Sequence, residues 1–412
     1  MHMRSRYVSV VCIVALACLL RFWGLGDRKE YFFDEQFHTM TAYIYTSSGH
    51  IMPDDWYHPP LKHLLMRGSI AIFGDNPYGW RMRNAVIGSL TVILFIMLCR
   101  RLFDDARVAI LAGTFLAVDP LHIFLSRTSS EEIQAIFFFI ACLYFALGLI
   151  RGSTWQGVLA GLSFGLSLSS KWYYPMATGI LILYVLFSEH RASRLNLLRI
   201  AYLFSVFVIL PLSIYLLAYL PWFSRGYDLR EFVQMQVVSF KAAGMISGVG
   251  WNPVLTRFGS AADWFIRPII TGARSNEVGT YERYSLFIGN FPVWLLIIPS
   301  FISMLMTQLR ERNDRVVLIL AIFAATYIPF LVISRPIFIY SAAPVVVFAY
   351  ILVALLLLRL LDTLHFGQTC FRVLVVSVIA WGLYLYPLAC NFRVPKTGYA
   401  PIISSGNVLD HF

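Results

Sequence analysis

Apolar segments follow one another along this chain at residues 7–25, 84–99, 108–125, 133–150, 155–170, 173–187, 199–222, 291–307, 316–333, 337–358 and 371–389. Crossing roughly 30 Å of hydrocarbon takes about 17 or more apolar residues in a helix, so the pattern predicts a row of about eleven transmembrane helices. The third and sixth segments are short and suit partly re-entrant spans. Between the apolar segments most polar stretches are brief, but two are long, at residues 27–80 and 223–290. Each carries apolar residues at helical spacing: Phe37, Tyr43 and Ile44 in the first, Phe232, Met235 and Val238 in the second. That spacing predicts amphipathic helices lying along a membrane interface. With no fixed-period repeat and no separate soluble domain, residues 1–412 read as one all-α integral membrane domain.

Composition agrees. Of the residues 58% are hydrophobic and 13% charged, about half the charged fraction of a soluble domain. The formal net charge is +11, but no basic, aromatic-interleaved soluble stretch is long enough to serve nucleic acid. The cations are instead distributed by side. With the N-terminus in the cytoplasm, the inner loops receive Arg4, Arg6, Arg100, Arg101, Arg107, Arg151, Arg191, Arg194, Arg199, Arg310, Arg312, Arg315 and Arg359, while Arg127, Lys171 and Arg335 stand alone in theirs. This is the positive-inside pattern, and it makes both long loops extracytoplasmic. Residues 7–25 read as a retained first helix, being long for a signal peptide and lacking a small-residue cleavage site. The six cysteines lie in or beside apolar spans without CxxC or metal-ligand spacing, and read as small buried hydrophobes.

The same orientation brings Asp34, Glu35, His58, Asp119, Arg127, Glu131, Glu132, Lys171 and Arg335 to one membrane face. Ionisable groups at a membrane are costly and are usually functional. Asp34, after the aromatic run Tyr31-Phe32-Phe33, suits a general base; it equally suits an N-cap for a helix opening at Glu35. His58-Pro59-Pro60 fixes an extended backbone before a helix near Leu61 and holds an imidazole at the surface. His38, four residues after Asp34, is placed to pair with it or to join a metal site. Arg127 suits a phosphate or a helical ion pair with Glu131, and Arg81 and Arg83 carry the same ambiguity. Lys171 and Arg335 are either ligands or snorkelling anchors. No Walker loop, GxGxxG, GxSxG or CxxC occurs. An enzyme working outside the membrane without nucleotides needs an activated, membrane-borne substrate, which favours a lipid-phosphate-linked donor.

Taken together, Phe33-Asp34-Glu35, His58-Pro59-Pro60-Leu61, Gly79-Trp80-Arg81, Asp119-Pro120 with Ser126-Arg127 and Glu132, Ser170-Lys171-Trp172, Gly289-Asn290-Phe291-Pro292-Val293-Trp294 and Arg335-Pro336-Ile337-Phe338-Ile339-Tyr340 with Pro344 resemble, in order, the motifs of protein O-mannosyltransferases, members of the GT-C glycosyltransferases. The resemblance implies a polyprenyl-phosphate-linked hexose donor, mannose in that family, and inverting transfer to an acceptor hydroxyl on protein. Asp34 would be the base, with Glu35 and His58 shaping the pocket. Arg81, Arg127, Lys171 and Arg335 would be the candidate phosphate ligands, and Asp119 and Glu132 match family positions. Related transferases act on lipid A or cell-surface glycans, so a glycolipid acceptor is the alternative. Family members differ over a divalent metal. A lipid-linked sugar transporter is the non-enzyme alternative; internal two-fold symmetry and charges midway along helices would mark it, and neither is evident. The implied location is a bacterial-type inner or plasma membrane, with the site extracytoplasmic.

Overall fold

The computed structural model describes residues 2–31, 34–51, 58–244, 261–267, 269–275, 281–332, 337–363, 367–395, 397–404 and 407–409. Arg335 and much of the second long loop lie outside them. The described chain is mostly helical. Helix α1 (His2–Phe22) is followed by two helices of the first long loop, α2 (Glu35–Ser48) and α3 (Leu61–Phe73). Then come α4 (Pro77–Leu102), α5 (Ala106–Ala117), α6 (Pro120–Arg127), α7 (Glu132–Ile150), α8 (Thr154–Ser170), α9 (Pro175–Arg191) and α10 (Leu197–Phe204). A π-helical turn at Ser205–Ile209 joins α10 to α11 (Leu210–Ala218), followed by α12 (Leu220–Phe223) and α13 (Leu229–Gly244). Strands β1 (Ile270–Ser275) and β2 (Tyr281–Ile288) precede α14 (Phe291–Trp294), α15 (Ile297–Gln308), α16 (Asp314–Val332), α17 (Ala343–Thr363) and α18 (Gly367–Ala389). The chain ends with β3 (Val394–Pro395), α19 (Ala400–Ser404) and β4 (Asn407–Leu409).

Every apolar segment of the sequence falls on helix. By length and hydropathy, seven helices among the described residues suffice to cross a bilayer, or eight with the bent pair α5–α6 counted as one span. Helix α17 is the hub: Val345 through Ala354 are all at most 1% exposed, and α5, α7, α15, α16 and α18 pack around it. The 59° bend between α5 and α6 has a local cause. Pro120 has no N–H to continue the helix and its ring opposes the preceding turn, while the Asp119 carboxylate restarts the chain by accepting from His122 N at 2.8 Å. Helix α8 meets the π-helical turn and α11 through glycines one turn apart. A Cβ on Gly161 would lie 2.2 Å from the Val206 carbonyl, and one on Gly165 2.7 Å from Ile214 Cβ. Small residues at this spacing let membrane helices approach backbone to backbone.

One expectation is corrected. The domain is not all-α: a four-stranded sheet, ordered β3-β2-β1-β4, joins the second long loop to the chain's last residues. Alternate residues of β2, Tyr284, Leu286 and Ile288, are buried with Leu385 and Leu388 of α18, so one face of the sheet is sealed by a helix. The amphipathic helix α2 is turned the other way round from a soluble one. It buries His38, Thr39, Thr41, Ala42 and Tyr45 and leaves Phe37 and Met40 exposed, a polar face inward and an apolar face outward. In the second loop α13 packs Phe232 and Met235 against Tyr45, Tyr215 and Tyr219, with Val238 exposed.

Candidate active site

Asp34 sits at the N-cap of α2, yet its side chain makes no capping hydrogen bond. The carboxylate is half-buried and is not consumed by the helix it precedes. What fixes it is its neighbour. Glu35, 1% exposed, accepts a two-pronged bond from Arg81, Nε to Oε1 at 2.9 Å and Nη2 to Oε2 at 2.8 Å. Arg81 spends its remaining N–H groups on the carbonyls of Leu25, Arg28 and Glu30. Backbone turn, arginine and the first turn of α2 are thereby locked together, which sets the position of Asp34.

Three further segments converge on Glu131, the residue that opens α7. His58, set by Pro59 and Pro60 just before α3, brings Nε2 to 3.1 Å from Oε1. Lys62, in the first turn of α3 and 1% exposed, brings Nζ to 3.5 Å from Oε2. Lys171, the extended residue that ends α8, donates to Oε1 at 2.8 Å and also bonds Glu132. His38 of α2 completes the group, Nε2 lying 3.8 Å from Glu131 and Nδ1 accepting from Lys62 at 3.0 Å. The ring of Tyr173 lies 4.8 Å and that of Tyr340 5.6 Å from the Lys171 ammonium. Arg83, buried beside Glu131, donates Nη2 to the Ser129 carbonyl at 2.6 Å; its Nε and Nη1 make no hydrogen bond among the described residues.

Electrostatics separate the two carboxylates. Burial pushes Asp34 above the ordinary aspartate range; His38 and Lys62 pull it back, and Glu131 and Glu132 add to the rise. Burial also pushes Glu131 up, but Lys171, Lys62, His58 and His38 together outweigh it and hold this carboxyl well below the usual range. Lys171 is the mirror image: burial lowers it, while Glu131 and Glu132 raise it well above an ordinary lysine. One acid is framed by cations that favour its ionised form; the other is protonated more readily than usual. Opposed pairs of this kind separate a proton-carrying role from a charge-holding one.

The structure thus unites Asp34, His58, Glu132 and Lys171 of the expected residues. It engages three others elsewhere. Arg81 serves Glu35. Arg127 does not pair with Glu131; its Nη1 caps the end of α1 through the carbonyls of Leu20, Arg21 and Trp23. Asp119 accepts from Tyr350, from Trp294 Nε1 at 3.2 Å and from Asn290 N at 3.4 Å, tying the α5–α6 bend to α14 and α17. The sequence reading passed over Lys62, although it is the second residue after Pro60, and named Glu131 only among the charges of one face and as an ion-pair partner for Arg127. Among the described residues no group of three or more His, Cys, Asp or Glu is placed to hold a metal ion.

Comparison with known proteins places this geometry in context. The family model for dolichyl-phosphate-mannose-protein mannosyltransferase matches residues 57–218, a stretch holding His58, Lys62, Glu131 and Lys171. A polyprenol-phosphate-mannose–protein mannosyltransferase of Mycolicibacterium smegmatis is 23% identical over 95% of this chain and 90% of its own. One of Corynebacterium glutamicum is 24% identical over 83% and 81%. The solved protein O-mannosyltransferase Pmt1-Pmt2 complex of Saccharomyces cerevisiae, bound to its sugar donor, superposes with a TM-score of 0.79 at 12% identity, covering 99% of this chain and 94% of that one. ArnT of Cupriavidus metallidurans, bound to undecaprenyl phosphate, gives 0.62 at 17% identity over 95% and 77%. The chain shares the fold of these two solved proteins.

Proposed function

We propose that this chain, a member of the dolichyl-phosphate-mannose-protein mannosyltransferase family, moves mannose from a polyprenyl-phosphate carrier to a serine or threonine hydroxyl of a protein. The observation that carries the mechanism is Asp34: a half-buried carboxylate, free of capping bonds, beside an array of buried cations. Its oxygen takes the proton of the acceptor hydroxyl. The acceptor oxygen attacks the anomeric carbon, the bond from that carbon to the phosphate oxygen breaks on the opposite side, and the electron pair leaves with the polyprenyl phosphate. Configuration at the carbon inverts. Lys171, Lys62 and His58, held in place by Glu131 and Glu132, stabilise the charge that grows on the phosphate, and Arg83 has two N–H groups to add. Arg335 is assigned to the donor phosphate on the motif resemblance alone.

The finer topology belongs to the same reading. Eleven crossings, with α8, α9 and the apolar part of α1 spanning although short, and a cytoplasmic N-terminus put the carboxylate cluster on the extracytoplasmic face of a plasma or bacterial inner membrane. The charge asymmetry of the loops supports this orientation.

The test replaces Asp34 with Asn. With radiolabelled polyprenyl-phosphate mannose and an acceptor protein, transfer falls by 10²-fold or more, the order expected for a lost general base, while the protein still folds. Wild-type turnover in the variant removes Asp34 from the base role. Label in the lipid or glycan fraction, with none in protein, replaces the acceptor by lipid A or a surface glycan.

A further inference from the structure

Far from the carboxylate cluster, Gly152, Arg194, Asn196, Leu198, Arg199 and Tyr202 line an open pocket of about 340 Å³. Helix α8 has 17 residues, and at about 1.5 Å per residue some 25 Å separate its first turn, beside this pocket, from its last, beside Lys171. The pocket therefore lies at the opposite bilayer face from the transfer chemistry.

Its two arginines are built in. Glu189, fully buried, receives Arg194 Nη2 at 2.9 Å on one oxygen and Arg199 Nε at 2.8 Å on the other. Arg194 Nη2 also donates to the Ile150 carbonyl, and the Arg199 guanidinium lies 5.1 Å from the Tyr202 ring. Each guanidinium is thus fixed on one edge. Arg199 Nη1 and Nη2 and Arg194 Nη1 make no hydrogen bond among the described residues. Asn196 opens α10 by accepting from Arg199 N at 2.9 Å, so the positive end of that helix faces the same space. Arg101 and Arg151 are joined nearby, Arg151 donating to the Arg101 carbonyl. Glu189 is the carboxylate that pairs with Arg194 and Arg199.

The surroundings decide what anion fits. Leu197 and Leu198, on the first turn of α10, are 80% and 81% exposed and begin an apolar helix long enough to span with α11. Oriented guanidinium edges suit phosphate oxygens, and apolar side chains directly alongside suit acyl chains. We infer that this pocket binds the phosphate of an anionic phospholipid headgroup, seated between Arg194 and Arg199 with its chains against Leu197 and Leu198.

The full-length protein, reconstituted in bilayers of phosphatidylcholine with a minor fraction of photoreactive phosphatidylglycerol, tests this. Crosslinks concentrated in peptides covering residues 194–202 support the site. Crosslinks spread evenly over all basic loops, or equal labelling by photoreactive phosphatidylcholine, overturn it. In native mass spectrometry the wild type retains phosphatidylglycerol over phosphatidylcholine. Arg199→Lys keeps one bond to Glu189 but loses the fork, so retention falls about tenfold with mannosyl transfer unchanged. Undiminished retention in that variant, or displacement of the lipid by millimolar inorganic phosphate without any preference for phosphatidylglycerol bilayers, refutes the lipid assignment.

Discussion

Replacing Glu131 by Gln keeps the shape of the side chain and removes one charge from the centre of the cluster. Lys171 at 2.8 Å and Lys62 at 3.5 Å each attract that carboxylate by about 5–6 kcal/mol at an effective dielectric of about 20. Desolvation of the buried ions offsets most of this, and removing one partner of a buried pair typically costs about 3–5 kcal/mol. Lys171 keeps Glu132 as a partner, which puts the expected loss near the lower end, about 3 kcal/mol. At roughly 2 °C per kcal/mol for a large chain, the thermal midpoint drops by on the order of 6 °C, measured by intrinsic tryptophan fluorescence in detergent. The pH dependence gives a second readout. Glu131 titrates far lower in the folded protein than in the unfolded chain, so its contribution is present above the unfolded value near 4.3 and fades only as the pH falls through the depressed folded one. The wild type and Glu131→Gln therefore differ at pH 7 and converge in strong acid. An unchanged midpoint at pH 7 refutes the assignment of Glu131 as the charge that holds the cluster together.

Asp34 has the opposite sign. Its folded pKa is raised, so ionising it opposes folding as the pH rises above the unfolded value, and Asp34→Asn unfolds at or above the wild-type temperature at pH 7 despite being inactive; a lower midpoint contradicts this. Because the base must be ionised, kcat/KM in the wild type falls on the acid side with a midpoint above the ordinary aspartate value near 3.9, and a flat profile down to pH 4 sinks the claim. Asp119→Asn turns an amide toward donors from Tyr350, Trp294 and Asn290 and costs about 2 kcal/mol or more of stability, with donor KM unchanged in the folded fraction; a selective rise in donor KM would make Asp119 a ligand instead. Arg335→Ala raises donor KM more than acceptor KM, and equal donor KM in variant and wild type removes Arg335 from the phosphate site.

The helices were legible because crossing a bilayer imposes length and hydropathy on contiguous residues, properties that one dimension records. The alternation of Tyr284, Leu286 and Ile288 was an equally local strand signal, overlooked in a loop where the helical spacing of Phe232, Met235 and Val238 was taken as the pattern. In the site, Asp34, His58 and Lys171 were readable as charges sharing one side. The roles of Arg127 and Asp119 were not, because their partners lie far off in sequence: Leu20 and Trp23 for the first, Trp294 and Tyr350 for the second. A guanidinium that caps a distant helix and one that grips phosphate are written with the same letter. Glu131 and Glu132 are adjacent and chemically alike; only packing chooses which of them gathers both histidines and both lysines.

The order in which those partners leave the ribosome has a consequence for biogenesis. His38, His58 and Lys62 are synthesised before Glu131, but Lys171, its closest cation, emerges some forty residues later, after the two intervening helices α7 and α8. An elongating chain halted before that lysine carries the carboxylate with its charge only partly balanced. The charge balance around Glu131 is therefore completed late in synthesis, only once α7 and α8 have both been made.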